Sequence, residues 1–249
     1  MRAFKGTLLA FVLVTSAAAQ SADPPLSDTR LTVHTLLRED IFAGFMNDND
    51  ARLARGERNI AILLKDRPDQ RANLLAWQAG ATTYRAVRAH EAGKPEEFER
   101  HFAAARAGFT EAAALSSGKD GVPAITGGTL ATFADRLPEK HRAAAWSQAY
   151  DNYAKLWQLQ GADIEKMPVH FKGELLAGLT QSAQRTGRAD ESARYLEKML
   201  VVLQGTSYEA TAQKWKADPA SAATTNLTCK NCHSPGRLSA RLKALEGQQ

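Results

Sequence analysis

Leu36 to Pro68 reads LLREDIFAGFMNDNDARLARGERNIAILLKDRP. Its apolar residues fall at steps of three and four, as in Leu37, Ile41 and Phe45 and again at Ile60 and Leu63. Steps of that size line one face of a helix, whereas a half-buried strand needs strict alternation. The spacing predicts a helix over Leu36–Asn47 and a second over Ala51–Lys65. Arg67 and Pro68 stop the second, since proline supplies no N–H and forces its predecessor out of the helical region.

Outward from there the period continues to Gln204. Gln70 to about Ala92 carries Leu74, Trp77, Ala81, Tyr84 and Val87 along one stripe. Gly93 and Lys94 break that helix. Pro95, Glu96 and Glu97 then restart another, because proline fits the first turn and acids suit its positive end. Ser116 to Gly128, with four glycines and a proline, is expected to be a loop. Further helices are expected near Leu130–Arg136, over Pro138–Gln160, from about His170 to Thr186 and from Ala189 to Gln204. The fold class is all-α, an array of helix pairs over residues 35–204. An extended segment at 20–34 precedes it and a small C-terminal segment at 205–249 follows.

Helix pairs joined by tight turns invite a test for the 34-residue period. Gly44 and Gly56 sit where close helix contact calls for small residues, Ile60 and Leu63 follow at packing positions, and Pro68 closes the unit. Leu176, Leu179, Ala183, Gly187, Ser192, Leu196 and Met199 repeat the pattern, and Ser192 stands 136 residues after Gly56, a whole number of periods. The chain resembles tetratricopeptide repeats at these two ends, while the central pairs are out of phase. The resemblance implies stacked helix pairs offering a concave face to a protein partner. An irregular helical bundle fits the same periodicity.

The chemistry is concentrated near the C-terminus. Cys229-Lys230-Asn231-Cys232-His233 holds both cysteines of the chain, with a histidine directly after the second. C-x-x-C-H is the attachment motif for c-type haem. Two thiols add across the two vinyl groups of a porphyrin, one helical turn sets the sulfur separation, and the adjacent imidazole reaches the iron. A zinc site needs two more Cys or His at similar spacing, and the nearest other histidine, His170, lies 59 residues before Cys229. A thioredoxin-like pair sits at a βαβ turn, and this chain shows no strands. A structural disulfide across so short a loop gains little from loop closure.

This stretch resembles a bacterial c-type cytochrome. The resemblance implies one covalently attached haem c, with Cys229 and Cys232 as the thioether residues and His233 as the proximal iron ligand. It also implies handling by a cytochrome c maturation machinery. A small class I cytochrome places its motif early and a Met ligand downstream, whereas none of the sixteen residues after His233 is Met or His. The late motif is similar in position to that of cytochrome c′, a four-helix bundle whose haem is often five-coordinate. The chain is too long for that bundle, and Ser234, Pro235 and Gly236 interrupt the helix that carries the motif there.

The front of the chain carries an address. Met1 to Lys5 is short and basic, Gly6 to Ala19 is an apolar run, and Ala17, Ala18 and Ala19 end it. That is the layout of a secretory signal peptide at residues 1–19, cleaved near Ala19. The run falls short of the roughly 20 apolar residues that cross a bilayer. No cysteine lies near the cleavage point, and no later segment is apolar enough to span a membrane. A periplasmic protein without a transmembrane segment in its mature form is therefore expected.

Composition narrows the classes. A 249-residue chain with 44% hydrophobic and 24% charged residues is ordinary for a globular protein. Two cysteines exclude a disulfide scaffold. Setting aside residues 1–19 removes Arg2 and Lys5 and leaves +3 of the +5 net charge. Such a balance does not point to nucleic acid.

After the motif, Ser234 and Pro235 suit the start of a last helix running to about Glu246. Leu238, Leu242 and Leu245 form its apolar stripe, expected to cover the porphyrin or the last repeat. Arg237 and Arg241 stand one turn apart, placed either to pair with a haem propionate or as a solvated basic face. Tyr208 and Trp215 line the haem edge or serve as ordinary core. A second axial ligand must come from upstream. Met199 falls at a packing position, Met167 and His170 are better exposed, and His34, His90, His101 and His141 read as surface residues.

The function expected is one-electron transfer by a monohaem cytochrome whose helical repeats dock a redox or assembly partner. A five-coordinate haem binding NO, a scaffolding module with a structural haem, and a peroxidase are the alternatives. No catalytic acid or base is assignable, so an electron carrier or haem-binding protein is expected rather than an enzyme.

Overall fold

The computed structural model describes residues 23–118, 121–224 and 236–247. Within them every regular element is helical. The chain leads through α1 (Val33–Asn47), α2 (Asp50–Asp66), α3 (Arg71–Glu91), α4 (Pro95–Leu115), α5 (Val122–Phe133), α6 (Glu139–Gln160), α7 (Val169–Arg185), α8 (Ala189–Val202), α9 (Glu209–Ala217) and α10 (Arg237–Glu246). Local chemistry sets the ends. The Thr32 side chain accepts from the Thr35 N–H at 3.2 Å, and Asn49 accepts from the Arg52 N–H at 3.1 Å, capping α1 and α2. Gly93 and Gly187 take φ of 67° and 73° in the tight turns after α3 and α7, a conformation open to glycine at little cost.

Consecutive helices pack as pairs: α1 with α2, α3 with α4, α5 with α6, and α7 with α8. The first helices of successive pairs also touch in order, α1 on α3, α3 on α5 and α5 on α7. Gly44 and Gly56 do what their spacing predicts. A Cβ on Gly44 would stand 2.8 Å from the Leu53 Cβ, and one on Gly56 would stand 2.8 Å from the Ile41 Cδ1. Beside this contact Asp40, 1% exposed, accepts from Arg52 at 2.8 Å and from Arg55 at 2.6 and 2.7 Å. A carboxylate so buried is tolerated because the guanidinium groups replace its water. Arg67 donates to the carbonyls of Leu26, Asp28 and Leu31, tying the segment before α1 to the end of α2.

Two expectations need correction. The glycine-rich stretch is loop only in its first part, for α5 begins at Val122 and contains Gly127 and Gly128. That helix is wedged between α3 and α6. A Cβ on Gly127 would lie 3.3 Å from the Asn152 Cβ, and one on Gly80 of α3 would lie 3.1 Å from the Thr129 Oγ1. Here glycine permits close approach, and burial offsets its low helix propensity. The last helix begins at Arg237, with Gly236 at φ 92° as its cap, and it packs on α1 rather than on the last pair. Leu238 and Leu245 are buried, and the Leu238 N–H donates to the Glu39 Oε1 at 2.8 Å. Tyr208 and Trp215 belong to the apolar core, and Trp215 is fully buried.

Candidate functional site

A cavity of about 590 Å³ opens between α1, α3, α5, α6 and α7. That volume lies within the range of small-molecule and cofactor sites. Its apolar lining comes from Phe42, Trp77, Ile125, Leu156, Phe171 and Leu175, and its polar groups include His34, Arg38, His170 and Glu174. The helix period explains the arrangement. His34, Arg38 and Phe42 follow one another at steps of four on α1, so they share a face, as His170 and Glu174 do on α7.

The two imidazoles sit in an unusual setting. His34 keeps an accessible surface although protein surrounds it, as a side chain on a cavity wall does. Its ring leans on Trp77, centroids 5.3 Å apart and planes inclined by 40°, and Phe42 meets Trp77 edge-on at 5.8 Å. Loss of hydration, with the positive fields of Arg38, His170 and Arg237, pushes the His34 pKa down to about 4. Desolvation, then Arg237 and Arg38, lowers His170 as well. Both rings are therefore neutral at pH 7, the form that ligates metals. Trp77 is 2% exposed, and its indole N–H has no acceptor among the described residues.

Cys229, Cys232 and His233 lie outside the described residues, as does the segment 1–19. The chain on either side of the motif is described. Before it, the 3-10 turn Pro219–Ala223 packs on α7. After it, α10 packs on α1. Both α1 and α7 are walls of the cavity. Arg237, half-buried at the start of α10, is close enough for its charge to act on His34 and His170, while Arg241 is exposed. The paired arginines thus differ in setting, Arg237 half-buried and Arg241 exposed.

The upstream ligand candidates also separate. His170 lines the cavity. Met199 is fully buried core, and Met167 packs half-buried against that core. His141 packs on Phe98 and Phe102, with centroids 5.6 and 4.5 Å away, and the His101 Nε2 lies 3.8 Å from Glu97. His34, expected on the surface, is exposed and also lines the cavity. The missed signal was the run His34, Arg38, Phe42, a second stripe beside the core stripe of Leu37 and Ile41.

Among the described residues no three His, Cys, Asp or Glu side chains converge as a metal site, and no helix is long and apolar enough to cross a membrane. No protein-family model, curated protein or solved structure matches the chain.

Proposed function

We propose that the protein is an exported monohaem c-type cytochrome that carries single electrons, its helical body docking a redox or assembly partner. The observation that carries this reading is the sequence Cys229-Lys230-Asn231-Cys232-His233 in a chain that opens with a leader-like segment. Cys229 and Cys232 would hold the haem through thioether bonds, and His233 would bind the iron. The bound haem supplies one-electron exchange between ferric and ferrous iron. The cavity beside the flanking helices supports the reading. A flat macrocycle with an iron centre and two carboxylates suits a cavity with an apolar wall, neutral imidazoles and the cationic Arg38. The protein's part is to keep water from the cavity and to orient the group through these side chains.

The body of the molecule reads as a tetratricopeptide-like stack. Supporting this, the second helix of each pair also packs on the first helix of the next, α2 on α3, α4 on α5 and α6 on α7. Nearest-neighbour contacts of this kind characterise helical solenoids.

The test is production of the full chain with a cytochrome c maturation system. Processed protein is expected to exceed its polypeptide mass by one haem, to show a Soret band, and to exchange one electron reversibly at an electrode. A Cys229→Ser, Cys232→Ser protein is expected to lose the added mass while keeping its helical circular dichroism. Wild-type protein with bare polypeptide mass overturns the reading.

A further inference from the structure

Between the second and third helix pairs the inner helices α3 and α5 lie against each other, with Gly80 close to Thr129. The outer helices α4 and α6 meet at the start of α6. Phe98 and Phe102 of α4 stack with centroids 5.2 Å apart, and the His141 ring of α6 rests on both, at 5.6 and 4.5 Å. Lys140 adds an ion pair to Glu99 at 3.0 Å. The His141 Nε2 is sealed from solvent and has no hydrogen-bond partner among the described residues. A charged N–H at that point would lack an acceptor. The backbone N–H of His141 donates to the Pro138 carbonyl in the first turn of α6, the positive end of that helix, where a cation is disfavoured. Of the charged groups nearby, Lys140 on the same helix and Arg106 on α4 repel a proton. Glu99 attracts one but is already bound to Lys140. Glu97 lies beside Lys94 and His101, and His90 of α3 meets the Phe98 ring at 5.8 Å. Burial, with Lys140 and Arg106, lowers the His141 pKa below the ordinary 6.5.

We propose that His141 is a proton-sensitive latch between the second and third helix pairs, its neutral ring closing α6 on α4 and its protonated ring releasing that seam. The inference is independent of the haem reading, because every residue it uses lies in the helical array. Release leaves the contact of α3 with α5 as the pivot, so acid shifts the α5 and α6 walls of the cavity against the α3 wall. The closed seam holds the lower pKa, so the open form takes up the proton first. The advantage of the closed form is complete above about 6.5 and is lost as pH falls below it.

The experiment follows amide exchange of the full chain by mass spectrometry, corrected for the intrinsic effect of pH on each amide. Between pH 7 and pH 5, exchange over residues 95–106 and 139–146 is expected to accelerate, by up to about tenfold per pH unit, the limit for uptake of one proton. Over the same range α1, α2, α7 and α8 are expected to keep their protection. His141→Phe preserves the ring contacts and cannot be protonated. It is expected to match wild type at pH 7 and to lose the acid response, whereas His90→Gln and His101→Gln are expected to retain it. A wild type without acceleration, an undiminished response in His141→Phe, its loss in His90→Gln or His101→Gln, or acceleration spread evenly over the array overturns the proposal. Should His141→Phe fail to accumulate, the imidazole resonance of His141 in wild type decides. Titration below 6.5, in step with the exchange, supports the latch. Titration at or above 6.5 would show that attraction to the two phenyl rings holds the cation in place, and overturns it.

Discussion

At Gly44 the side chain is absent because Leu53 occupies its place. A methyl group there would stand 2.8 Å from the Leu53 Cβ, an atom fixed to the backbone of α2, so the two helices must move apart. Overpacking of this kind costs about 1–3 kcal/mol. Gly44→Ala is therefore expected to lower the urea midpoint without changing the slope, and Gly44→Ala with Leu53→Gly, which removes that Cβ, to be less than additive. Additive losses would show that the contact is not the cause. The residue scale is also where the candidate site was least legible. Cys229, Cys232 and His233 stand out because Cys-x-x-Cys followed directly by His is the spacing of a c-type haem attachment motif. His34 does not, because one residue of a second stripe reads only as surface, and the sequence does not show that the facing helices also set it on a cavity wall. Trp77 was read only as a member of a core stripe, and its N–H without an acceptor carries no mark in sequence.

Between elements, α3 and the 3-10 turn Ala134–Arg136 after α5 are joined by Glu91 and Arg136, with N–O distances of 2.8 and 3.0 Å. The guanidinium also lies over Phe133, 5.5 Å from its centroid. Its hydrogen bond and charge hold the Glu91 carboxyl below its ordinary pKa of 4.5. A carboxyl depressed in the folded state stabilises above its unfolded pKa, and that contribution fades as pH falls through the folded value. The groups are about one-third exposed, so solvent screening keeps the contribution below about 1 kcal/mol. Glu91→Gln is expected to be slightly less stable than wild type at pH 7, with the gap narrowing as pH falls from the unfolded carboxyl's pKa through the lower folded one. A constant gap across that range would assign the loss to packing. Helix existence was legible here because the period is strong, but the start of α5 was not. Gly127 and Gly128 carry the composition of a loop, and only the tertiary packing on α6 shows that they serve close approach.

Over the whole molecule, the chain closes on itself. Helix α10 lies on α1, nearly two hundred residues earlier in sequence, a pairing that no local period encodes. The apolar stripe of Leu238, Leu242 and Leu245 is visible in sequence, but a stripe states only that something covers it, and the porphyrin or the last repeat is what the sequence suggests. The docking rests on few groups: Leu238 and Leu245 are buried, and one backbone N–H meets Glu39. A terminal element held this way opens at lower free energy than the core. Truncating a buried leucine to alanine costs about 2–5 kcal/mol in a full core and falls toward the lower figure where the site can relax. Leu238→Ala is accordingly expected to release α10 without unfolding the pairs, since each ~1.4 kcal/mol is a tenfold change in the opening equilibrium. Amide exchange over residues 237–246 would accelerate by at least tenfold, while the amides of α3 and α6 keep wild-type protection. Exchange accelerating equally in α3 would show instead that α10 is part of one cooperative unit with the array, and that its contact with α1 stabilises the entire stack.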